Sequence, residues 1–306
     1  MTESLIITQL INGLQFGVLL FLMAAGLTLV FGIVNFVNMA HGSFYMIGAY
    51  VGATLYNFSH SFILAFVLTI PAMLLLGVVI QRLVLASLFQ RDHLDQVLAT
   101  FGLILFFNEF ARTLWGPAPY YIELPAALSG AVTLLGVTYP SYRILIVAVG
   151  LIVAAAIYLI VHRTRFGMLL RAGATDAPMV AALGVNITLI NTLIFGLGAV
   201  LAGIAGLMAG PILSIEPGMG DGILILTVVI IVIGGVGSIR GAFYASLIVG
   251  VVDTVGRVSL PLLLESIFPN NVASTAGPAI SSMLIYILMA AVLAFKPAGL
   301  FPVKHG

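Results

Sequence analysis

Long apolar runs separated by short polar stretches follow one another along almost the whole of the 306-residue chain. Many of these runs approach the length of about 20 residues that an α-helix, rising 1.5 Å per residue, needs to cross a bilayer core roughly 30 Å thick. The short alternating segments that are typical of membrane barrels are not seen. The pattern predicts about nine membrane-spanning helices, within a range of eight to ten: Leu5–Ile33, Ser43–Tyr56, Phe62–Leu85, Leu94–Trp115, Ile144–His162, Ile187–Leu213, Ile223–Ile233, Ala242–Val255 and Pro278–Phe295.

Composition strengthens this interpretation. Hydrophobic residues make up 62% of the chain and charged residues 7%, with a mean hydropathy of +1.24. A soluble domain carries about 25% charged residues, so this chain cannot cover a water-facing surface, and we predict an all-α, polytopic helical bundle. The absence of cysteine excludes disulfides and thiolate metal sites. The first ten residues, MTESLIITQL, lack the basic residues of a secretory signal peptide, so we expect Leu5 onward to be a retained span.

Basic residues collect in loops on one side of this arrangement, which indicates the cytoplasmic side. Most carboxylates collect on the opposite side. We therefore expect the C-terminus in the cytoplasm and the N-terminus in the periplasm. The inward basic residues are Arg82, Arg91, Arg163, Arg165, Arg171, Arg240, Lys296 and Lys304, and the outward acidic residues are Glu3, Glu123, Glu216, Asp221 and Glu265.

Two segments of the chain resemble each other. LTLVFGIVNFVNMAHGSFY (Leu27–Tyr45) aligns without gaps to LTVVIIVIGGVGSIRGAFY (Leu226–Tyr244) at a constant offset of 199 residues, and both contain Gly-x-Phe-Tyr. Transporters are often built from two such halves, with interrupted helices at corresponding positions. We expect one membrane domain over residues 1–306, made of related halves 5–162 and 187–300 that a polar segment, 163–186, joins.

The joining segment, RTRFGMLLRAGATDAPMVAALGVN (Arg163–Asn186), is polar in an otherwise apolar chain. At mid-membrane each of its three arginines and its aspartate would cost about 2.5–3.5 kcal/mol, so we expect the segment to lie outside the bilayer. Thr175 or Asp176 can cap a helix N-terminus, Pro178 is tolerated in the first turn, and Gly184 suits the C-terminal stop. A helix of about eight residues is too short to be stable alone. It lies either on the membrane surface or in a groove on a partner protein.

The stretch NFVNMAHGSFYMIGAY (Asn35–Tyr50) places polar side chains at membrane depth. The spacing of three residues between Asn35, Asn38 and His41 predicts that they share one helical face, with Gly42 next to His41. Such side chains either bond to a neighbouring helix or line a translocation path. No second histidine or carboxylate lies at ligand spacing from His41, so we expect no metal site.

The glycine-rich stretch IGGVGSIRGAFYAS (Ile233–Ser246) contains the repeat partner of that segment. The chain lacks the G-x-x-x-x-G-K-[ST] pattern of a phosphate-binding loop, and Arg240 stands where the third glycine of G-x-G-x-x-G belongs, so we expect it to bind neither ATP nor another cofactor. The glycines are typical of an interrupted span and of close helix approach. The candidate path-lining residues in this stretch are Gly235, Gly237, Ser238 and Gly241.

Charged residues near the predicted outer ends of two spans have helical spacing. Glu109 and Arg112, three residues apart, and Asp253 and Arg257, four residues apart, are each expected to form an ion pair that lowers the cost of membrane insertion. No nucleophile, histidine and acid have catalytic spacing, so we expect no enzymatic activity. Three outward carboxylates are either solvated or in contact with a substrate-delivering protein: Glu123, Glu216 and Asp221.

Four stretches give a more specific indication. FGIVNFVNMAHGSFYMIGAY, RAGATDAPMVAALGVN, IGGVGSIRGAFYAS and KPAGLFP together resemble LivH-type permeases of branched-chain amino acid ABC importers, over nearly the whole chain. The second stretch resembles the coupling loop that inserts into a cytoplasmic ATPase. Asp176-Ala177-Pro178 stands where the general motif begins Glu-Ala-Ala, so the register of the helix stays open by a few residues. The resemblance implies a coupling helix that comprises Thr175, Asp176, Ala177, Met179, Val180, Ala182, Leu183 and Gly184.

The resemblance also implies a bacterial inner-membrane subunit that imports leucine, isoleucine and valine. Its implied partners are a second, paralogous permease of LivM type, two cytoplasmic ABC ATPases that use ATP, and an extracytoplasmic substrate-binding protein. Permeases of the same type that carry urea, short amides or aromatic compounds are an alternative. A self-sufficient secondary carrier or channel is another, and it predicts ion-dependent transport by the purified chain alone.

Overall fold

The computed structural model of the protein describes residues 3–89, 91–125, 128–134 and 136–302. Within these residues the chain forms α-helices, one 3₁₀ turn (Leu85–Leu88) and one β-hairpin. Lys304, which we expect in the cytoplasm, lies outside the described residues. The elements in chain order are α1 (Glu3–Val34), α2 (His41–Ser59), α3 (Phe62–Leu83), α4 (His93–Trp115), β1 (Ala131–Leu134), β2 (Val137–Pro140), α5 (Ser141–Arg163), α6 (Arg165–Thr175), α7 (Ala177–Ala182), α8 (Ile187–Ala209), α9 (Met219–Gly234), α10 (Ile239–Glu265) and α11 (Asn270–Phe295).

Each of the nine predicted spans overlaps one long helix, so the prediction of an all-α bundle is confirmed. Among the described residues, however, only seven helices are long and apolar enough to cross a membrane: α1, α3, α4, α5, α8, α10 and α11. α9 has only 16 residues. α2 is less apolar, and its first ten residues, 41–50, are buried, because other helices rather than lipid surround it.

The helices form an inner and an outer layer. In α1 and α8, 78% and 89% of the most apolar 18-residue window is buried, against 11–28% in the five other spans. α2 joins α1 and α8 in the interior. α10 continues well past the predicted end at Val255, because Arg257 pairs with Asp253 at 2.8 Å and the helix therefore carries no isolated charge at that point. The predicted pair of Glu109 and Arg112 also forms, at 2.9 Å; both pairing predictions are confirmed.

Small residues allow the inner helices to approach each other closely. A Cβ atom at Gly17 of α1 would lie 2.8 Å from the Ser246 carbonyl oxygen of α10, and one at Gly32 would lie 2.6 Å from the Gly237 Cα atom. Gly48 of α2 packs directly on Gly203 of α8. Lipid tails are as apolar as the side chains, so dispersion contacts at such close crossings, rather than the hydrophobic effect, hold membrane helices together.

Two non-helical breaks fall at aligned positions of the internal repeat. The first break, residues 35–40, separates α1 from α2, and the second break, residues 235–238, separates α9 from α10. The agreement supports a duplication, and the division into halves stays a prediction. The prediction that Asn35, Asn38 and His41 share one helical face is wrong, because the chain leaves the helix at Asn35, where φ is +51°.

The β-hairpin at one end of the bundle was not predicted. β1 and β2 pair antiparallel, with Leu134 opposite Val137, and Gly136 has a φ of +79°. The hydroxyl of Tyr139 donates a hydrogen bond to Asn12 Oδ1 at 3.0 Å, which ties the hairpin to the start of α1. The sequence signal was present: two short runs rich in β-branched residues are separated by two residues that end in glycine.

We expect Gly17→Leu to destabilise the bundle, because a larger side chain has no room between α1 and α10. Overpacking of this kind costs about 1–3 kcal/mol, which thermal unfolding of the purified protein in detergent will show as a lower Tm. Gly102→Leu is the matched control, since nothing lies within 4 Å of a Cβ atom at Gly102. Equal Tm values for the two variants would contradict the close packing of α1 on α10.

Candidate functional site

The polar segment 163–186, called the central insert below, forms α6 and α7 between the end of α5 and the start of α8. Because it joins two spans, it lies at one end of the bundle. α6 was not predicted, although its apolar residues have the spacing of one helical face. Leu170 is 3% exposed, Phe166 and Leu169 are half-buried, and Arg171 is exposed.

Both ends of α7 are fixed by caps. The Asp176 carboxylate accepts a hydrogen bond at 2.9 Å from the backbone N–H of the third helical residue, so Asp176 rather than Thr175 is the N-cap. At the other end, Gly184 has a φ of +86°, and the Val185 N–H bonds to the Val180 carbonyl at 3.4 Å. This is a Schellman motif. The predictions for both ends are confirmed, although the helix has six residues rather than about eight.

α7 presents apolar side chains to the outside. Met179 is 61% exposed and the C-cap residue Leu183 77%, whereas Val180 is 6% exposed. Two exposed large side chains on a capped helix form a rigid apolar tip, a feature that often marks an interaction site. Of the remaining predicted coupling residues, Ala177 is half-buried, and the exposed ones are Thr175, Asp176, Ala182 and Gly184.

α6 connects this tip to the bundle. The Arg171 guanidinium donates a hydrogen bond to the Val161 carbonyl near the end of α5. Gly167 packs against the same carbonyl, which leaves no space for a side chain. Leu170 belongs to a buried apolar cluster that also contains Phe36 of the first break and Phe195 of α8. The central insert is therefore packed against the bundle and is not a free loop.

The first break is held by α4 as well as by aromatic contacts. Phe36 lies edge-on to Phe89 and Phe195, with ring centroids 5.3 and 5.6 Å apart. The freed N–H groups at residues 37 and 39 each donate a 3.2 Å hydrogen bond, to Gln96 Oε1 and Thr100 Oγ1 respectively. Neither Gln96 nor Thr100 was predicted as a site residue. Their spacing of four residues on an apolar helix was the available signal, because buried polar groups need a partner.

The predicted path residues of this region lie in different surroundings. Asn35 is exposed, whereas Asn38 is 1% exposed. Neither the Oδ1 nor the Nδ2 atom of the Asn38 side chain has a hydrogen-bond partner among the described residues. His41 Nε2 donates to the Met23 carbonyl of α1 at 3.1 Å, the interhelical bond that the sequence left open. Gly42 packs against the Gly220 carbonyl. The structure thus separates these residues: Asn35 is exposed, whereas Asn38, His41 and Gly42 lie in the interior.

The second break is closed by the C-terminal stretch KPAGLFP. The N–H groups of Leu300 and Phe301 donate to the carbonyls of Ile233 and Gly234 at 2.8 and 2.9 Å, and these are carbonyls that the end of α9 leaves unpaired. Ser238 Oγ accepts the N–H of Gly241 at 3.0 Å and caps α10. Gly235 and Gly237 have φ values of +103° and +79°, a region that glycine adopts without strain.

A cavity of about 360 Å³ separates the central insert from the second break. We call it the insert cavity. It brings predicted residues of both groups, Thr175 from the coupling helix and Gly237 and Ser238 from the path, to the same space. Its lining includes Thr28 and Gly32 of α1, Arg171 and Thr175 of α6, and Gly237 and Ser238 of the second break.

A bundle with seven spans, two breaks in its interior and a capped helical insert at one end defines a multi-pass membrane protein. The chain belongs to the family described as "Branched-chain amino acid transport system / permease component", whose model matches residues 9–293. The resemblance to LivH-type permeases is thereby confirmed.

Curated relatives match over most of their length. The high-affinity branched-chain amino acid transport system permease protein BraD of Pseudomonas aeruginosa is 30% identical over 305 residues, covering 95% of this chain and 94% of the relative. LivH of Escherichia coli is 27% identical, over 82% of this chain and 86% of the relative. A probable LivH of Methanocaldococcus jannaschii is 27% identical, over 92% and 88%. No solved structure was found to match the chain.

We expect Asp176→Ala to loosen α7 selectively, because it removes the N-cap hydrogen bond. Such a loss costs about 1 kcal/mol, or roughly fivefold in the local opening equilibrium, and hydrogen exchange of the amides in residues 177–183 measures it. Asp176→Asn keeps the acceptor and should preserve protection. Asp92→Ala is the control, since Asp92 precedes α4 without a side-chain cap bond. Unchanged protection of α7 in Asp176→Ala would show that the cap does not hold the helix.

Proposed function

We propose that the chain is the membrane permease subunit of an ABC importer for branched-chain amino acids. The observation that carries this proposal is the exposed apolar tip of α7, a capped helix held between two spans. The family and the names of relatives such as BraD and LivH support the substrate class. The proposed partners are a second, paralogous permease, two cytoplasmic ABC ATPases and an extracytoplasmic substrate-binding protein.

Docking of α7 into a groove on an ATPase would remove Met179 and Leu183 from water. Full burial of a side chain of this size contributes about 1.5–3 kcal/mol, and helix-in-groove binding is a recurrent recognition mode. The caps at Asp176 and Gly184 already fix the helix, so little conformational freedom is lost on docking. α7 is therefore suited to move as a rigid body with its partner.

α6 would carry that movement into the bundle by two routes. Its Leu170 packs in the cluster that contains Phe36 of the first break. Its Arg171 and Thr175 line the insert cavity beside Gly237 of the second break. ATP binding in the partner ATPases changes the permease only if it favours one arrangement of these contacts over another. The chain itself binds no nucleotide or other cofactor in this scheme.

We propose the two breaks as the moving part of the translocation path. The buried amide of Asn38 has no partner among the described residues, which costs about 1–3 kcal/mol. An arrangement that supplies a partner would be stabilised by a similar amount, so Asn38 favours a second state. The other proposed path residues are Asn35, His41, Gly42, Gly235, Gly237, Ser238 and Gly241.

Docking to cytoplasmic ATPases sets the orientation of the chain in a bacterial inner membrane. The central insert then faces the cytoplasm, α1 starts on the periplasmic side, and Lys296 after α11 lies inside. This orientation agrees with the excess of Lys and Arg in the cytoplasmic loops of membrane proteins.

The arrangement of buried charges favours the ATP-driven importer over a self-sufficient carrier. A proton-coupled carrier uses an unpaired acid inside the bundle. Among the described residues, Asp253 is the one buried carboxylate, and Arg257 neutralises it at 2.8 Å.

Cysteine crosslinking tests the docking of α7, because the chain contains no native cysteine. We expect Met179→Cys and Ala182→Cys to crosslink to a co-purifying ATPase. Val180→Cys is the matched control in the same helix, and it should not crosslink because Val180 is 6% exposed. If ATP drives leucine uptake while neither exposed cysteine reaches an ATPase, the docking surface lies elsewhere.

A further inference from the structure

A second large cavity, of about 480 Å³, opens at the end of the bundle opposite the central insert. α8 begins beside the insert and ends at Ala209, and this outer cavity lies between the segment that follows α8 and helices α9, α10 and α11. Its volume falls in the range of about 300–1,000 Å³ that is typical of small-molecule sites. Its described lining contains one acid, Glu216, and one base, Arg257.

Arg257 is oriented by its ion pair but retains free hydrogen-bond donors. Its Nε atom donates to Asp253 Oδ1 at 2.8 Å, and Asp253 is itself 5% exposed, so the pair fixes the direction of the guanidinium group. The part of the chain that the structure describes provides no partner for the two terminal amino groups. A guanidinium group that presents two adjacent donors matches the two oxygens of a carboxylate.

Glu216 combines a fixed backbone with a free side chain. Its carbonyl accepts a 3.1 Å hydrogen bond from the Met219 N–H, and the adjacent Ile215 pairs with Tyr120 in an isolated β-bridge. The Glu216 carboxylate is exposed and accepts no hydrogen bond within the described residues. Its charge is therefore available to a cationic group in the cavity.

Apolar side chains form the remaining wall and lead inward. Ile223, Leu226 and Ile285 are among the apolar residues that line the outer cavity. A smaller cavity of about 80 Å³ shares Ile223 with it and extends to Met23, whose carbonyl holds His41. The outer cavity thus adjoins the interior region that contains proposed path residues.

We propose that the outer cavity is a binding site for a zwitterionic amino acid with an aliphatic side chain. Arg257 binds the carboxylate, Glu216 binds the ammonium group, and the apolar wall accepts the side chain. This inference rests on the proposed function and deepens it, because it makes the permease itself recognise both charges of its substrate.

Equilibrium binding of radiolabelled leucine to the complete permease–ATPase complex, in nanodiscs without the binding protein, tests this site. Leucinamide lacks the carboxylate and 4-methylpentanoate lacks the ammonium group, so neither should displace leucine from the wild type at concentrations where isoleucine does. Glu216→Gln and Arg257→Lys should each weaken leucine binding about tenfold to a hundredfold, the loss expected for one charge-assisted hydrogen bond. Glu216→Gln should then bind 4-methylpentanoate about as well as leucine, whereas Arg257→Lys, which keeps a positive charge, should still reject leucinamide.

Controls separate this site from general surface charge and from lipid. Glu123→Gln and Arg112→Lys change exposed charges that do not line the cavity, and they should bind leucine as the wild type does. Nanodiscs of phosphatidylglycerol alone exclude a lipid head group that carries an ammonium group. Arg257→Lys keeps the positive charge beside Asp253, and the exposed, unpaired Glu216 can be changed without loss of a folding contact.

The outcomes distinguish a failure of the outer site from a failure of the proposed function. Wild-type leucine binding that is absent, or that Glu216→Gln and Arg257→Lys leave unchanged, overturns the outer site, and so does an equal loss in Glu123→Gln. ATP-driven uptake of branched-chain amino acids by the wild-type complex with its binding protein would still support the proposed function in each of these cases. Leucine binding without any such uptake would instead overturn the proposed function.

Discussion

Unpaired backbone groups cannot persist in a bilayer, and this constraint explains how the protein keeps two breaks inside its bundle. At each of the two breaks, partners from a distant part of the chain bond to backbone groups that the helix no longer pairs. Gln96 and Thr100 accept N–H groups of the first break, and Leu300 and Phe301 supply N–H groups to the carbonyls before the second break. These replacements let the chain change direction at membrane depth while these backbone groups remain bonded. They also make each break depend on elements far away in sequence.

Contacts between distant segments also join the central insert to the interior of the bundle. Phe36 is buried between aromatic rings from the chain before α4 and from α8, and Leu170 enters the same cluster from α6. Close-packed contacts of this kind do not deform gradually, so a displacement of α6 is transferred to the first break or is resisted. Glycines in the contact between α1 and α10 let the two backbones pack directly on each other, which makes this pair of helices rigid. The bundle therefore consists of rigid helices, and the two breaks are the points at which it can bend.

Local signals in the sequence predicted much of this structure. Apolar run length located the long helices, Asp176 and Gly184 marked the ends of α7, and the charge spacings gave both ion pairs. What the sequence could not show were contacts between distant segments. Gln96 bonds to the first break and KPAGLFP bonds to α9. In both cases the partners are far apart along the chain, and no periodic pattern of residues indicates that they meet. The helical face proposed for Asn35, Asn38 and His41 failed because helical spacing alone does not reveal where a helix stops.

The bonds between KPAGLFP and α9 also bear on the order in which the protein is built. Leu300 and Phe301 each lie 67 residues beyond the carbonyl that they satisfy. During synthesis, the mature partners of the last carbonyls of α9 therefore become available only after α10 and α11 have been translated. The final turn of α9 can reach its mature arrangement only when the polypeptide is almost complete.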